Sequence, residues 1–280
     1  MAPPVKSRIL LNLALAGLVV ALALAAWLGA KPAAQAEFRL STLSAARITR
    51  IAIEKTGQPA IVLQKSMNGW RLSAPFAARA DGETVGYLLE TLSATSRQRF
   101  PVADLGRFQL DKPLLRLSLN DQEFSFGTQN PLSGEVYVAT NDGVYLVAPD
   151  YLAHALKTPA DFVSKAFLAE DEIPIGFEFP DFKLSQMDNG KWSASPDNPD
   201  WSQDELNRWE DEWRQASSLV TQPYDGTAAR DAFTLHLRNG RSVSCKILRR
   251  EPELVLLRED EKMQYHSPAE VGKRLLHPGK

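Results

Sequence analysis

Four histidines, one cysteine and a spread of serines and carboxylates are the side chains that could act as nucleophile, base or metal ligand. A serine hydrolase would present its nucleophile on a Gly-x-Ser-x-Gly elbow, and no such elbow occurs. His236 alternates with Phe233, Leu235 and Leu237, which puts it on the solvent face of a strand, and His277 stands in a Pro-Gly tail. Neither His154 nor His266 has a partner motif beside it. Cys245 falls on a predicted strand and reads as a small buried hydrophobe rather than a reactive thiol. Metal chemistry lacks its spacings too: there is no His-Glu-x-x-His, no Cys-x-x-Cys and no complete calcium loop. Asp197-Asn198-Pro199-Asp200 is rich in oxygen, but proline interrupts it, and it reads as the turn before a capped helix. The run Glu170-Asp171-Glu172 reads as solvated linker, and no glycine-rich phosphate loop is present. No catalytic, cofactor-binding or metal site is therefore expected.

Recognition is the better prospect. Residues 126–134, Phe-Gly-Thr-Gln-Asn-Pro-Leu-Ser-Gly, form a small polar loop between two predicted strands. Thr128, Gln129, Asn130 and Ser133 are its candidate contact residues, because loops on a rigid scaffold often carry binding. Trp209 and Trp213 lie four apart with Leu206 and Ala216 on the same helical face, which is core spacing rather than a stacking platform.

The elements that position these residues are written twice. Ile51, Ile53 and Asn68-Gly69-Trp70 are matched by Ile173, Ile175 and Asn189-Gly190-Lys191-Trp192. A helix follows in each copy, the first capped by Asp81, with Val85, Leu88, Leu89 and Leu92 on one face. The second opens on the capping box Ser202 and Glu205 and carries Leu206, Trp209, Trp213, Ala216 and Val220 on one face. Alternating strands come next, at 115–119 and 233–237, each running into an asparagine turn at Asn120 or Asn239-Gly240. Trp70 and Trp192 occupy equivalent positions, which suggests a structural need. The pattern predicts an α+β fold of two diverged repeats, each an antiparallel sheet of hairpin strands with one main helix. The copies are read at 48–157 and 173–280, with 158–172 linking them.

Residues 9–28 carry no charge, and Asn12 is their one strongly polar member. As a helix they would be about 30 Å long, the thickness of a bilayer's hydrocarbon core. Lys6 and Arg8 precede them, so the positive-inside rule assigns a cytoplasmic tail at 1–8, an inner-membrane span at 9–30 and an exported body after a linker at 31–47. Ala34-Gln35-Ala36 is an alternative cleavage site for a signal peptide. The formal charge of −2, from 32 basic and 34 acidic residues, gives no case for a nucleic-acid binder.

Phe108-Gln109-Leu110-Asp111-Lys112-Pro113, following Asn68-Gly69-Trp70-Arg71-Leu72 and Pro75, resembles a bacterial family known as domain of unknown function 4340. Phe126-Gly127 and the strands at 136–138 and 144–146 fit its pattern, and the resemblance covers roughly residues 48–220. It marks Trp70, Leu110, Asp111, Pro113 and Trp192 as candidate structural residues and transfers no catalytic one. Gln109 stands where glycine is usual, and the second copy lacks Leu-Asp-x-Pro. The resemblance implies a membrane span and an auxiliary envelope role, in some members beside ABC-type transport components. The function expected is thus a non-catalytic periplasmic accessory or scaffold subunit, without cofactor, whose sheet edges accept a membrane partner. The alternative is a binder of a small apolar or lipid-like ligand between the repeats, and an unrecognised enzyme is a remote third.

Overall fold

A computed structural model describes residues 5–29 and 37–279; within the first stretch the side chains described are those of Ile9 and residues 12–25. The chain divides into two compact units, Met1–Phe38 and Arg39–Lys280. The first is built on helix α1 (Val5–Gly29), whose described side chains are all exposed. Among the described residues no helix is long and apolar enough to cross a membrane. The side chains of Lys6 and Arg8, those at 10, 11 and 26–30 of the expected span, and the Ala34-Gln35-Ala36 site lie outside the described residues.

The second unit is α+β with antiparallel sheets. Its first sheet contains β1 (Arg50–Lys55), β2 (Ile61–Ser66), β3 (Gly69–Ala74), β4 (Ala78–Arg79), β5 (Arg99–Phe100), β6 (Leu115–Leu119), β7 (Gln122–Gln129), β8 (Val136–Ala139) and β9 (Val144–Val147). They lie in the order β4-β3-β2-β1-β6-β7-β8-β9-β5. Its second sheet contains β10 (Pro174–Glu178), β11 (Lys183–Gln186), β12 (Trp192–Ser195), β13 (Val220–Pro223), β14 (Asp231–Leu237), β15 (Ser242–Arg249), β16 (Glu253–Arg258) and β17 (Met263–Pro268). Its order is β12-β11-β10-β14-β15-β16-β17-β13. Apart from the short β4, the strands follow the same sequence of placements in both sheets. In each, the first strand of that sheet to follow the first helix returns to pair with the last strand.

Each half carries two helices rather than the single one expected: α2 (Gly82–Leu89) and α3 (Pro149–Ala155), then α4 (Gln203–Gln215) and α5 (Ala269–Leu276). The closing helices escaped the sequence reading because seven or eight residues give barely two turns of periodicity. Asp81 caps α2 by accepting from the Thr84 amide at 2.7 Å, and Ser202 with Glu205 forms the expected box on α4. Helix α4 ends at Gln215, so Val220, expected on its apolar face, starts β13 and is exposed; the buried stripe is Leu206, Trp209 and Trp213. Their indoles also serve the backbone. Trp209 Nε1 donates to the Arg274 carbonyl at 2.9 Å and Trp213 Nε1 to the Leu275 carbonyl at 3.0 Å, which satisfies acceptors in the last turn of α5. One apolar core runs through both halves, from Ile51, Leu63 and Leu117 to Phe177, Trp213 and Leu235.

The segment expected as a plain link is part of this architecture. Phe162, Val163, Phe167 and Leu168 are buried in the core. Val163 bridges Ala80, at the β4 edge of the first sheet, and Ala166 bridges Ser217, just ahead of β13 at the edge of the second. Four backbone hydrogen bonds complete the seam: Asp81 N to Phe162 O, Ser164 N to Arg79 O, Phe167 N to Ala216 O and Ser218 N to Lys165 O, all of 2.8–2.9 Å. The remaining edges are short. β5 has two residues and runs into Pro101, and Gln203 covers β12 by bonding both the amide and the carbonyl of Trp192 at 2.8 Å. These are usual means of blunting an edge.

Candidate functional site

A cleft of about 1020 Å³ opens between the halves beside the seam. The β2–β3 hairpin, the start of α2, the link at 164–172 and the turns holding Arg241 and Asp260-Glu261 form its walls. It lies where an apolar ligand site was expected, but its lining carries seven carboxylates and three arginines. No histidine or cysteine lines it, and among the described residues no group of histidine, cysteine or carboxylate ligands is arranged to hold a metal.

The floor of the cleft is a closed ionic network. Arg258, fully buried on β16, donates to Glu172 Oε2 at 2.6 Å and Oε1 at 2.9 Å, to Asp260 Oδ2 at 2.8 Å and to the Phe167 carbonyl at 2.7 Å. Arg79, from the first half, bonds Glu261 at 2.5 Å, the Ala166 carbonyl at 2.6 Å, the Phe167 carbonyl at 3.0 Å and the Tyr265 hydroxyl at 2.9 Å. Tyr265 in turn donates to Glu261 at 2.5 Å. Glu172 also accepts from the Ala169 amide at 2.8 Å. First half, link and second half are thereby joined through two guanidinium forks, a geometry suited to arginine and not to lysine.

This corrects the reading of Glu170-Asp171-Glu172 as solvated. Glu170 and Asp171 are exposed, whereas Glu172 is only 5% exposed. Burial opposes its charged form, but the hydrogen bonds and charge of Arg258 outweigh that and lower the carboxyl to about 2. Burial likewise works against the Arg258 cation, and Glu172 and Asp260 more than compensate, raising its pKa. For Tyr265, burial and then the charge of Glu261 both push the phenol up. Held near 2, Glu172 is ionised at neutral pH and balances the Arg258 cation.

The residues singled out from the sequence lie apart. Trp70, on β3, is half-buried and lines the cleft. Trp192 is buried on β12, its indole donating to Asn207 at 3.2 Å. Leu110 belongs to a separate apolar cluster with Phe108 and Val144, joined by Tyr137 and Phe100. Gly127 is required there, since a Cβ would fall 2.3 Å from the Phe108 carbonyl. Asp111 is exposed and Pro113 half-buried beside them. Thr128 and Gln129 end β7, and Asn130 and Ser133 make the turn. That turn is well ordered: Asn130 Oδ1 accepts from the Leu132 amide at 2.9 Å and Gln129 Nε2 donates to the Gly134 carbonyl at 2.6 Å. It presents Leu132 almost fully to solvent. Cys245 is buried, which pushes its thiol up, and His236 is on the solvent side of its strand. Asp197–Asp200 is a turn in which Asn198 Oδ1 accepts from the Asp200 amide.

A family model described as a domain of unknown function, DUF4340, matches residues 70–225, from Trp70 on β3 to just past β13. It therefore takes in Leu110, Asp111, Pro113, the candidate loop and the whole seam. No curated protein and no solved structure matches the chain.

Proposed function

The chain belongs to the DUF4340 family, and from that premise we propose that it is a membrane-anchored, non-catalytic accessory or scaffold subunit of an envelope transport or assembly complex. The observation that carries the reading is the seam with its ionic floor: the buried charges between the halves are satisfied by one another, as befits a rigid body rather than a reactive site. The two halves are read as diverged copies of one unit, supported by their common strand order and by a closing helix in each. The anchor rests on the uncharged stretch 9–28 and on the helical course of α1, with Lys6 and Arg8 on the cytoplasmic side and the body in the periplasm. ABC-type transport components are the partner class proposed.

Crosslinking the full chain in its native membrane, with capture through a C-terminal tag, tests this. Discrete transporter or assembly subunits in the product are expected. An empty capture, under conditions that retain a known complex, would overturn the scaffold reading. An intact mass starting at Glu37 would overturn the anchor.

A further inference from the structure

The cleft divides into a neutral floor and a charged rim. Arg79 and Arg258 in the floor, together with the exposed Arg241, face Glu172, Asp260 and Glu261, the last contacts being Arg241 to Glu172 at 3.7 Å and to Asp260 at 3.8 Å. On the rim stand Asp81, Glu83, Glu170 and Asp171 with Arg71. Among the described residues none of these four carboxylates has a cation within salt-bridge distance. Asp81 accepts from Thr84, Glu83 from Tyr87 and Asp171 from Asn68, all uncharged donors. Apolar surface shares the groove: Trp70 is half-buried in its wall and Met67, at the hairpin tip, is fully exposed.

We propose that this groove docks an extended peptide segment carrying arginine or lysine next to apolar residues, contributed by the membrane partner. The inference rests on the scaffold reading and names the chemistry of its contact. Surplus negative charge selects a cationic occupant, while indole and thioether surfaces suit the aliphatic stems that such side chains carry. A rigid floor keeps both halves of the groove at fixed spacing, so little ordering is needed on binding. An apolar lipid would leave the rim carboxylates desolvated and unpaired, which argues against it.

The test uses the full chain in detergent and an acetylated, amidated peptide, Gly-Arg-Leu-Arg-Leu-Arg-Gly, followed by calorimetry. Binding is expected, with an affinity about tenfold lower in E170Q/D171N, both changes being at exposed positions. The peptide with glutamate in place of arginine is expected not to bind. A control pair, D121N/D188N, removes the same charge from exposed sites outside the groove and should leave affinity unchanged. Equal loss in the control pair, or none in E170Q/D171N, overturns the proposal. Spermidine displacing the peptide at equal concentration would replace the peptide by a small polycation. Membrane crosslinking of E170Q/D171N separates the two readings. Partner capture undiminished in that variant leaves the scaffold intact and removes the groove, whereas peptide binding with no partner captured does the reverse.

Discussion

Replacing Glu172 by glutamine removes one negative charge from the floor of the cleft and leaves Arg258 buried without its bidentate acceptor. The magnitude follows from linkage. A carboxyl held at about 2, against an ordinary 4.5, is stabilised in the folded state by the equivalent of about 2.5 pH units. At about 1.4 kcal/mol per unit this is on the order of 3 kcal/mol. The figure agrees with the roughly 3–5 kcal/mol lost when one member of a buried ion pair is removed. Because the folded pKa is the lower one, the contribution is complete above about pH 4.5 and disappears as pH falls through 2. Urea unfolding of wild type and E172Q, followed by tryptophan fluorescence, should show a deficit of about 3 kcal/mol at pH 7. By pH 3 the gap should have narrowed by more than half, since wild type is then losing the interaction that the variant never had. A deficit below about 1 kcal/mol at pH 7, or one that stays constant down to pH 3, would refute the electrostatic account.

Three further outcomes follow from local geometry. G127A should destabilise by about 1–3 kcal/mol, read from the urea midpoint, because its methyl meets the Phe108 carbonyl and the Leu110 side chain. S202A should cost about 1 kcal/mol in the same assay, and more hydrogen exchange is expected at the first turn of α4 than elsewhere in that helix. W213F should lose about 2 kcal/mol, with faster exchange at the end of α5, since both buried volume and the donor to Leu275 are removed.

Periodicity made the strands and the two main helices readable, because a half-buried element repeats its apolar residues at a spacing fixed by backbone geometry. Asn239-Gly240 does turn between two strands, with Gly240 at φ 81°, and Ser202-Glu205 does cap α4. The candidate site was far less visible. Glu172 and Arg258 each stand in a charged run, and such runs are solvated unless a partner is supplied. Here the partner is 86 residues away, a distance no local pattern reports. The link was opaque for a related reason: Phe162, Val163, Phe167 and Leu168 gave an apolar signal too short to tell a bridging strand from a loop. The apolar residues between Pro159 and the acidic run were the clue available.

The bridging link also sets a gauge. Val163 pairs with one sheet and Ala166 with the other, so three residues, about 10 Å of extended chain, fix how far apart the two sheet edges stand. One inserted residue would displace the Phe167 carbonyl, which accepts from both Arg79 and Arg258. Two inserted residues would widen the gap by up to about 7 Å. The separation of the halves is thereby set by the length of one short covalent segment and not by the side chains packed around it.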